Sequence, residues 1–268
     1  MLRAMNMLGT FTEGLGRRFL GWAASVHGIF LLIYEVFRAL LAPATWNRAT
    51  LDNVIKQIYF TGVQSLYVFL PYTLVIVGVI VAIIVTTARG LGLSYLAADL
   101  SIRVLMLELL PFLTALFVAL RSGSAINTEV ALMQVAHELD AFRHCGVNPL
   151  YFEFLPRVAG GVISVLCLSL LAGFISLVAA YLGLYGLSPA GASYFSMTVA
   201  NIFSIPVMLG WVVKCALFGL VVTSVPIAAG LETPPKSFFV PISVLKGMMR
   251  VFFALVLIEL LSLVAKYV

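Results

Sequence analysis

Five long apolar runs, at about 66–87, 104–120, 159–184, 206–228 and 249–265, constrain this chain more than any other feature. A helix of about twenty residues, rising about 1.5 Å per residue, crosses the hydrocarbon core of a bilayer. Each run is read as one such span. Composition leaves no other solvent for them: 62% of residues are hydrophobic and 10% are charged, where a soluble domain is about half apolar and a quarter charged. Too few charges remain to cover a water-exposed surface.

The formal net charge of +5 does not point to nucleic acid. The basic residues sit mainly at the ends of apolar runs, where Lys and Arg favour the cytoplasmic leaflet and its anionic lipids. Cys145, Cys167 and Cys215 are an odd set without paired spacing, two of them inside apolar runs, and read as small packing residues. His27, His137 and His144 form no ligand cluster, so no metal site is expected. No P-loop or nucleophile motif is present, so the chain is expected neither to be an enzyme nor to hold a cofactor. Arg3, Glu13, Arg17 and Arg18 stand among glycines in the first twenty residues, unlike a cleavable signal peptide. The first membrane segments are expected to do the targeting.

Residues 17–41 (RRFLGWAASVHGIFLLIYEVFRALL) carry Trp22, Val26, Ile29, Ile33 and Phe37 at helical spacing, interrupted by His27, Glu35 and Arg38. The interruptions favour a helix lying in the interface, although its length also fits a span. Pro43 ends it, and 47–56 is a polar connection. Pro71 is expected to kink the start of the first span. No internal repeat or linker divides 1–268, which reads as a single domain. Residues 185–205 contain no charge and suit the outer side; 121–157 carries Arg121, Arg143 and Arg157, and 229–248 carries Lys236 and Lys246, which suits the cytoplasm. The N-terminus then lies inside and the C-terminus outside, with Arg89 and Arg103 as small exceptions on the outer side.

The segment between the second and third spans is the most informative. After Arg121, Ser122, Gly123 and Ser124 allow a tight turn. Ala131, Val135, Leu139 and Phe142 then share a helical face, with Gln134, Glu138 and Asp140 toward the polar side. Asp140 and His144 are spaced to pair, and Gly146 with Pro149 stops the helix. A short amphipathic helix over 126–144 results. It is either an ordinary surface helix or a rod on which a cytosolic partner pushes.

ELLPFLTALFVALRSGSAINTEVALM, then HELDAF and GVNPLYFEFLPR, resembles the MlaE (YrbE) family of permeases associated with MCE proteins. The matching positions are Glu108, Pro111, Arg121, Gly123, Ser124, Ala125, Glu129, Glu138, Asp140, Gly146 and Pro149; KQIYFTGVQSL at 56–66 is also similar. The resemblance implies an all-α membrane protein of a bacterial inner membrane, with the 126–144 helix as a coupling helix. It implies partnership with a second permease subunit, identical or not, with a cytoplasmic ABC ATPase that takes ATP and magnesium, and with a periplasmic MCE protein. It implies movement of phospholipid or a related lipid. Arg121, Gly123, Ser124, Glu129, Glu138, Asp140, Gly146 and Pro149 would shape or present the ATPase-docking element. The chain departs from the family at Leu107, where a basic residue is common, and in GLETPPKSFFVP, where a Gly- and Thr-rich stretch is usual.

A charge at membrane depth costs at least about 2.5–3.5 kcal/mol on insertion scales, so each one needs a reason. Glu108 is either a first-turn carboxylate near the interface or a polar point in a lipid path. Lys214 and Glu259 fall well inside the fourth and fifth spans and are expected in the bundle interior or a wet cavity, either paired with each other or apart; such a pair serves either transport or packing alone. Phe69, Tyr72, Phe112 and Leu113 are acyl-chain candidates near outer span ends. Gly160, Gly161, Gly173 and Gly183 suit close helix packing or a dimer seam. The alternatives to a lipid permease are a non-transporting anchor for an MCE protein and an ABC importer of small hydrophobic solutes.

Overall fold

The computed structural model describes residues 25–40, 42 and 45–267; among these the chain is helical and carries no strand. Five helical columns are long and apolar enough to cross a membrane: Arg48–Gly90, Ala97–Val135, Leu150–Tyr185, Ile205–Leu231 and Ser237–Lys266. Each contains one of the expected runs and extends beyond it. The chain is an all-α membrane protein.

The first column is broken. Helix α2 (Arg48–Thr61) gives way at Gly62 to a 3-10 turn, Val63–Ser65, and then to α3 (Leu66–Gly90). Its 43 residues would reach about twice the ~30 Å hydrocarbon thickness if straight. Only α3 is needed to span. The break precedes Pro71, which sits inside α3. Gly62 is demanded by packing as well as by the bend: a Cβ there would stand 2.8 Å from the Ile58 carbonyl oxygen and 3.2 Å from Ser164 Oγ.

The second column runs through α4 (Ser94–Leu100), a π segment (Ser101–Leu109), α5 (Leu110–Val118), a second π segment (Ala119–Gly123) and α6 (Ser124–Val135). The turn expected at Ser122–Ser124 is absent. Instead the Ser124 hydroxyl donates back to the Leu120 carbonyl at 2.5 Å, and Thr128 donates back to the Ser124 carbonyl at 2.9 Å, so these side chains serve a continuing helix. The single rod expected over 126–144 is also two pieces. It breaks at His137, whose φ of 58° is left-handed, and resumes as α7 (Glu138–His144). Asp140 pairs with His137 at 3.2 Å and Arg143 at 3.4 Å, not with His144. Gly146, at φ 75°, then ends α7 as its sequence position requires.

A non-glycine residue in the left-handed region costs about 1–2 kcal/mol. His137→Gly is therefore expected to stabilise the protein by up to about 1 kcal/mol, because the exposed His137–Asp140 contact it removes is worth little. Thermal unfolding in detergent should show a midpoint raised by a few degrees; a lowered midpoint would contradict the bend.

The third column starts with a π segment, Leu150–Phe154, and continues as α8 (Leu155–Tyr185). The uncharged 185–205 stretch between the third and fourth spans contains α9 (Ala192–Ile202). Helices α10 (Ile205–Leu231) and α11 (Val240–Tyr267) complete the bundle. Residues from all five columns meet in one core that includes Val77, Leu105, Val165, Phe218 and Leu255. At the end with the basic loops, which the charge distribution assigns to the cytoplasm, a second cluster joins Ile126, Val130, Leu139, Val158 and Ile227.

Helix α1, residues 25–40, lies on that second cluster through Leu32, Val36 and Ala39. These share one face by their spacing. The stripe expected from Ile33 and Phe37 is one residue out of step, and Phe37 is exposed. Trp22, Pro43 and the first part of the 17–41 segment lie outside the described residues. At the opposite end both arginines are engaged. Arg89 donates to the carbonyls of Gly183 and Leu184 at 3.0 and 3.1 Å, closing the end of α8, while Arg103 pairs with Asp99 at 2.9 Å.

Candidate functional site

The half of the bundle remote from the basic loops contains a cavity of about 480 Å³ between the second, fourth and fifth columns. Its wall is mostly apolar, including Val207, Val213, Leu217, Ile258 and Leu261, and one pole carries Glu108, Lys214 and Lys266. Glu259 stands behind Lys214.

Four charges alternate here. Lys214 Nζ pairs with Glu108 Oε2 and with both carboxylate oxygens of Glu259, at 3.0 and 2.9 Å; it also approaches the Leu107 carbonyl at 3.4 Å. An ammonium has three N–H donors, and three acceptor groups surround it. Lys266 Nζ reaches the other Glu108 oxygen at 2.6 Å. The pairing of Lys214 with Glu259, one of the arrangements expected for two charges inside spans, is therefore one part of a larger set that ties three helices together. Glu108 reaches it from within a π segment, a local widening often found at functional sites. Lys266 is the member that sequence reasoning missed. As a basic residue just past a span it looked like a flank that snorkels to the interface, and only its signature as a second cation near two carboxylates would have flagged it. Trp211, another wall residue not singled out, has a buried indole N–H without a partner among the described residues.

Phe69, Tyr72, Phe112 and Leu113 do not gather at this cavity. Phe69 is enclosed in the core, 1% exposed, with its ring 5.2 Å from Phe117; Tyr72 also lies 5.3 Å from Phe117. Both are near the start of α3, away from the outer end where an acyl-chain role was expected. Phe112 stacks edge-on with Phe218 at 6.3 Å, and it and Leu113 are partly exposed.

The residues expected on the docking element divide into two groups. Arg121, Gly123, Ser124 and Glu129 belong to the second column. Arg121 donates to the Phe60 carbonyl at 2.9 Å and to Ser65 Oγ at 2.6 Å, so it clamps the joint between α2 and α3. Gly123 touches α10, where a Cβ would meet the Val222 carbonyl at 3.1 Å. Glu129 pairs at 3.0 Å with Arg157, which also holds Glu153. Arg157 thus staples α6 to the start of the third column, a role hidden in the sequence by its place in a basic loop. Glu138 and Asp140 are exposed on α7, whose Leu139 anchors it to the second apolar cluster. Gly146 is exposed after α7, and Pro149 is buried at the start of the third column. Among the described residues no three His, Cys, Asp or Glu side chains are placed to hold a metal ion.

Comparison with known proteins agrees with this architecture. A family model described as Permease MlaE matches residues 54–265. A probable ABC transporter permease protein of Rickettsia conorii is 29% identical over 230 residues, covering 84% of this chain and 85% of its own. A Synechocystis protein of the same description is 28% identical, covering 79% of each chain. The intermembrane phospholipid transport system permease protein MlaE of Haemophilus influenzae is 29% identical over 198 residues, covering 69% of this chain and 71% of its own. With five apolar columns, these matches make the chain a multi-pass protein of the bacterial inner membrane and a permease subunit of an ABC transporter, a transport subunit and not itself an enzyme. From one long family match over the membrane bundle, the chain belongs to the MlaE permease family.

Proposed function

We propose that this permease moves phospholipid or a related lipid between the inner membrane and a periplasmic MCE-protein assembly. It acts as one half of a permease pair, and a separate cytoplasmic ATPase, which binds ATP and magnesium, drives it. The observation that carries the reading is the cavity: an apolar wall for acyl chains beside a pole of one carboxylate and two ammonium groups, with a second carboxylate, Glu259, behind Lys214. An amphipathic ligand needs both surfaces, whereas a small hydrophobic solute needs only the first. The name of the Haemophilus relative supports the lipid. A second permease subunit suits the fifth column, of which only 11% of the apolar window is buried within its own chain. The ATPase would dock on α7, whose exposed Glu138, Asp140 and Arg143 face outward from an apolar anchor.

The test is to purify the chain with its native partners, identify co-extracted molecules by mass spectrometry, and measure ATP-dependent lipid transfer from proteoliposomes. Phospholipid in the extract and transfer that stops without ATP are expected. Partnership with an MCE protein but no ATPase would favour a passive anchor. A bound small apolar solute in place of lipid would favour an importer.

A further inference from the structure

Helix α6 does not swing with α7 alone, because its inner face is seated in a slot between α10 and α11. A Cβ on Gly230 of α10 would stand 2.8 Å from Val130, and one on Gly247 of α11 would run into the Asn127 carboxamide. Asn127 is the polar residue in this slot and is 0% exposed. Its Nδ2 makes only a long 3.5 Å approach to the Ser243 carbonyl, and its Oδ1 has no partner among the described residues. Hydroxyl donors are close by but engaged elsewhere: Ser243 Oγ donates to the Ala229 carbonyl at 2.8 Å, and Thr233 Oγ1 donates to Ser243 Oγ at 2.8 Å.

A buried amide oxygen without a donor is costly, and it favours any arrangement that supplies one. A small shift of α6 against α11 would let the Ser243 hydroxyl leave Ala229 for Asn127. We propose that Asn127 is the positioning residue that passes the stroke of α7 to the fourth and fifth columns, by exchanging hydrogen bonds with Ser243 as α6 moves. This rests on the reading of the chain as an ATP-driven lipid permease. The consequence reaches the cavity, because the same three columns carry Glu108, Lys214, Glu259 and Lys266. A shift at the Asn127 end strains the bonds from Glu108 to its two lysines at the other, so the cavity pole opens as the slot rearranges.

The test uses the complete complex in phospholipid vesicles, with lipid transfer and phosphate release measured together. Asn127→Leu removes both polar groups at similar volume, and Ser243→Ala removes the alternative donor with little change in packing. Both are expected to keep at least about half of the ATPase rate. Lipid moved per ATP should fall by about tenfold or more for Asn127→Leu and less steeply for Ser243→Ala. In a background with the native cysteines replaced by alanine, spin labels at the exposed positions 104 and 260 report the second and fifth columns. Their ATP-induced distance change should be present in the parent and absent in Asn127→Leu. Wild-type transfer per ATP in Ser243→Ala and an unaltered distance change in Asn127→Leu would overturn the proposal, as would ATPase and transfer falling in proportion in both variants. A parent that shows the distance change yet moves no lipid would instead count against the lipid reading, while loss of that change in Asn127→Leu would still support the slot.

Discussion

Lys214→Met is expected to lower the stability of the folded protein by about 3–5 kcal/mol, the range for removing one partner from a buried ion pair. Lys214 is 4% exposed and joins Glu108 to Glu259. Methionine fills much the same volume as the lysine stem, so packing changes little and the loss is mainly electrostatic. Glu108 retains Lys266, but Glu259 is left as a carboxylate at membrane depth without its cation. Glu259→Gln should cost less, about 1–2 kcal/mol, because an amide oxygen still accepts from Lys214 and Lys214 keeps Glu108. Neutralising the three most buried members together, as Lys214→Met with Glu108→Gln and Glu259→Gln, is expected to recover much of the stability, since the cost arises from an unmatched buried charge and Lys266, the most exposed of the four at 28%, still has an amide oxygen at position 108 to donate to. Lipid transfer should stay low in this triple variant, because the cavity pole keeps only one of its charges, that of Lys266. Thermal unfolding in detergent alongside proteoliposome transfer separates the two effects. Wild-type stability in Lys214→Met would mean that the four charges do not hold the columns together, and wild-type transfer in the triple variant would remove them from the lipid path.

The spans were legible because the bilayer dictates length and composition together, and a run such as 159–184 has no soluble alternative. The pairing of Lys214 with Glu259 was legible for a related reason: a charge inside a span needs a partner, and these two were the deepest candidates. The fault lines of the helices were hidden. Ser122, Gly123 and Ser124 have turn chemistry, yet a serine hydroxyl serves equally well by donating back to the preceding turn, and here that of Ser124 does, as does the hydroxyl of Thr128 one turn on. The real break falls at His137, where no glycine or proline marks the end of a helix, so no strong local signal announced it. Partners distant in sequence were hidden as well. Arg121 and Arg157 read as basic loop residues, but one clamps the α2–α3 joint and the other staples α6 to the third column. Lys266 joined the cavity only once the fifth column was seen to bring its end beside Glu108.

Gly161→Ala and Gly219→Ala are expected to differ sharply although both add one methyl group to the crossing of α8 and α10. At Gly161 the new Cβ would strike the Thr223 methyl group, the movable end of a side chain. Overpacking of this kind costs about 1–3 kcal/mol, and Thr223→Ser should recover most of it. That change deletes the methyl group but keeps the hydroxyl that donates to the Gly219 carbonyl at 2.8 Å. At Gly219 the new Cβ would stand 2.6 Å from Val162 Cα, which is backbone, so no nearby truncation relieves it and the two helices must part. The expected loss is at the upper end of that range, about 3 kcal/mol or more. It should also reach function, because α10 carries Lys214, and moving this helix away from α8 displaces the ammonium from its partners. Unfolding in nanodiscs should therefore rank Gly161→Ala with Thr223→Ser near the parent, Gly161→Ala below it and Gly219→Ala lowest, with lipid transfer in the same order. If Gly219→Ala proved as stable as the parent, α8 and α10 would not meet at this glycine, and the placement of Lys214 beside Glu108 would lose its structural support.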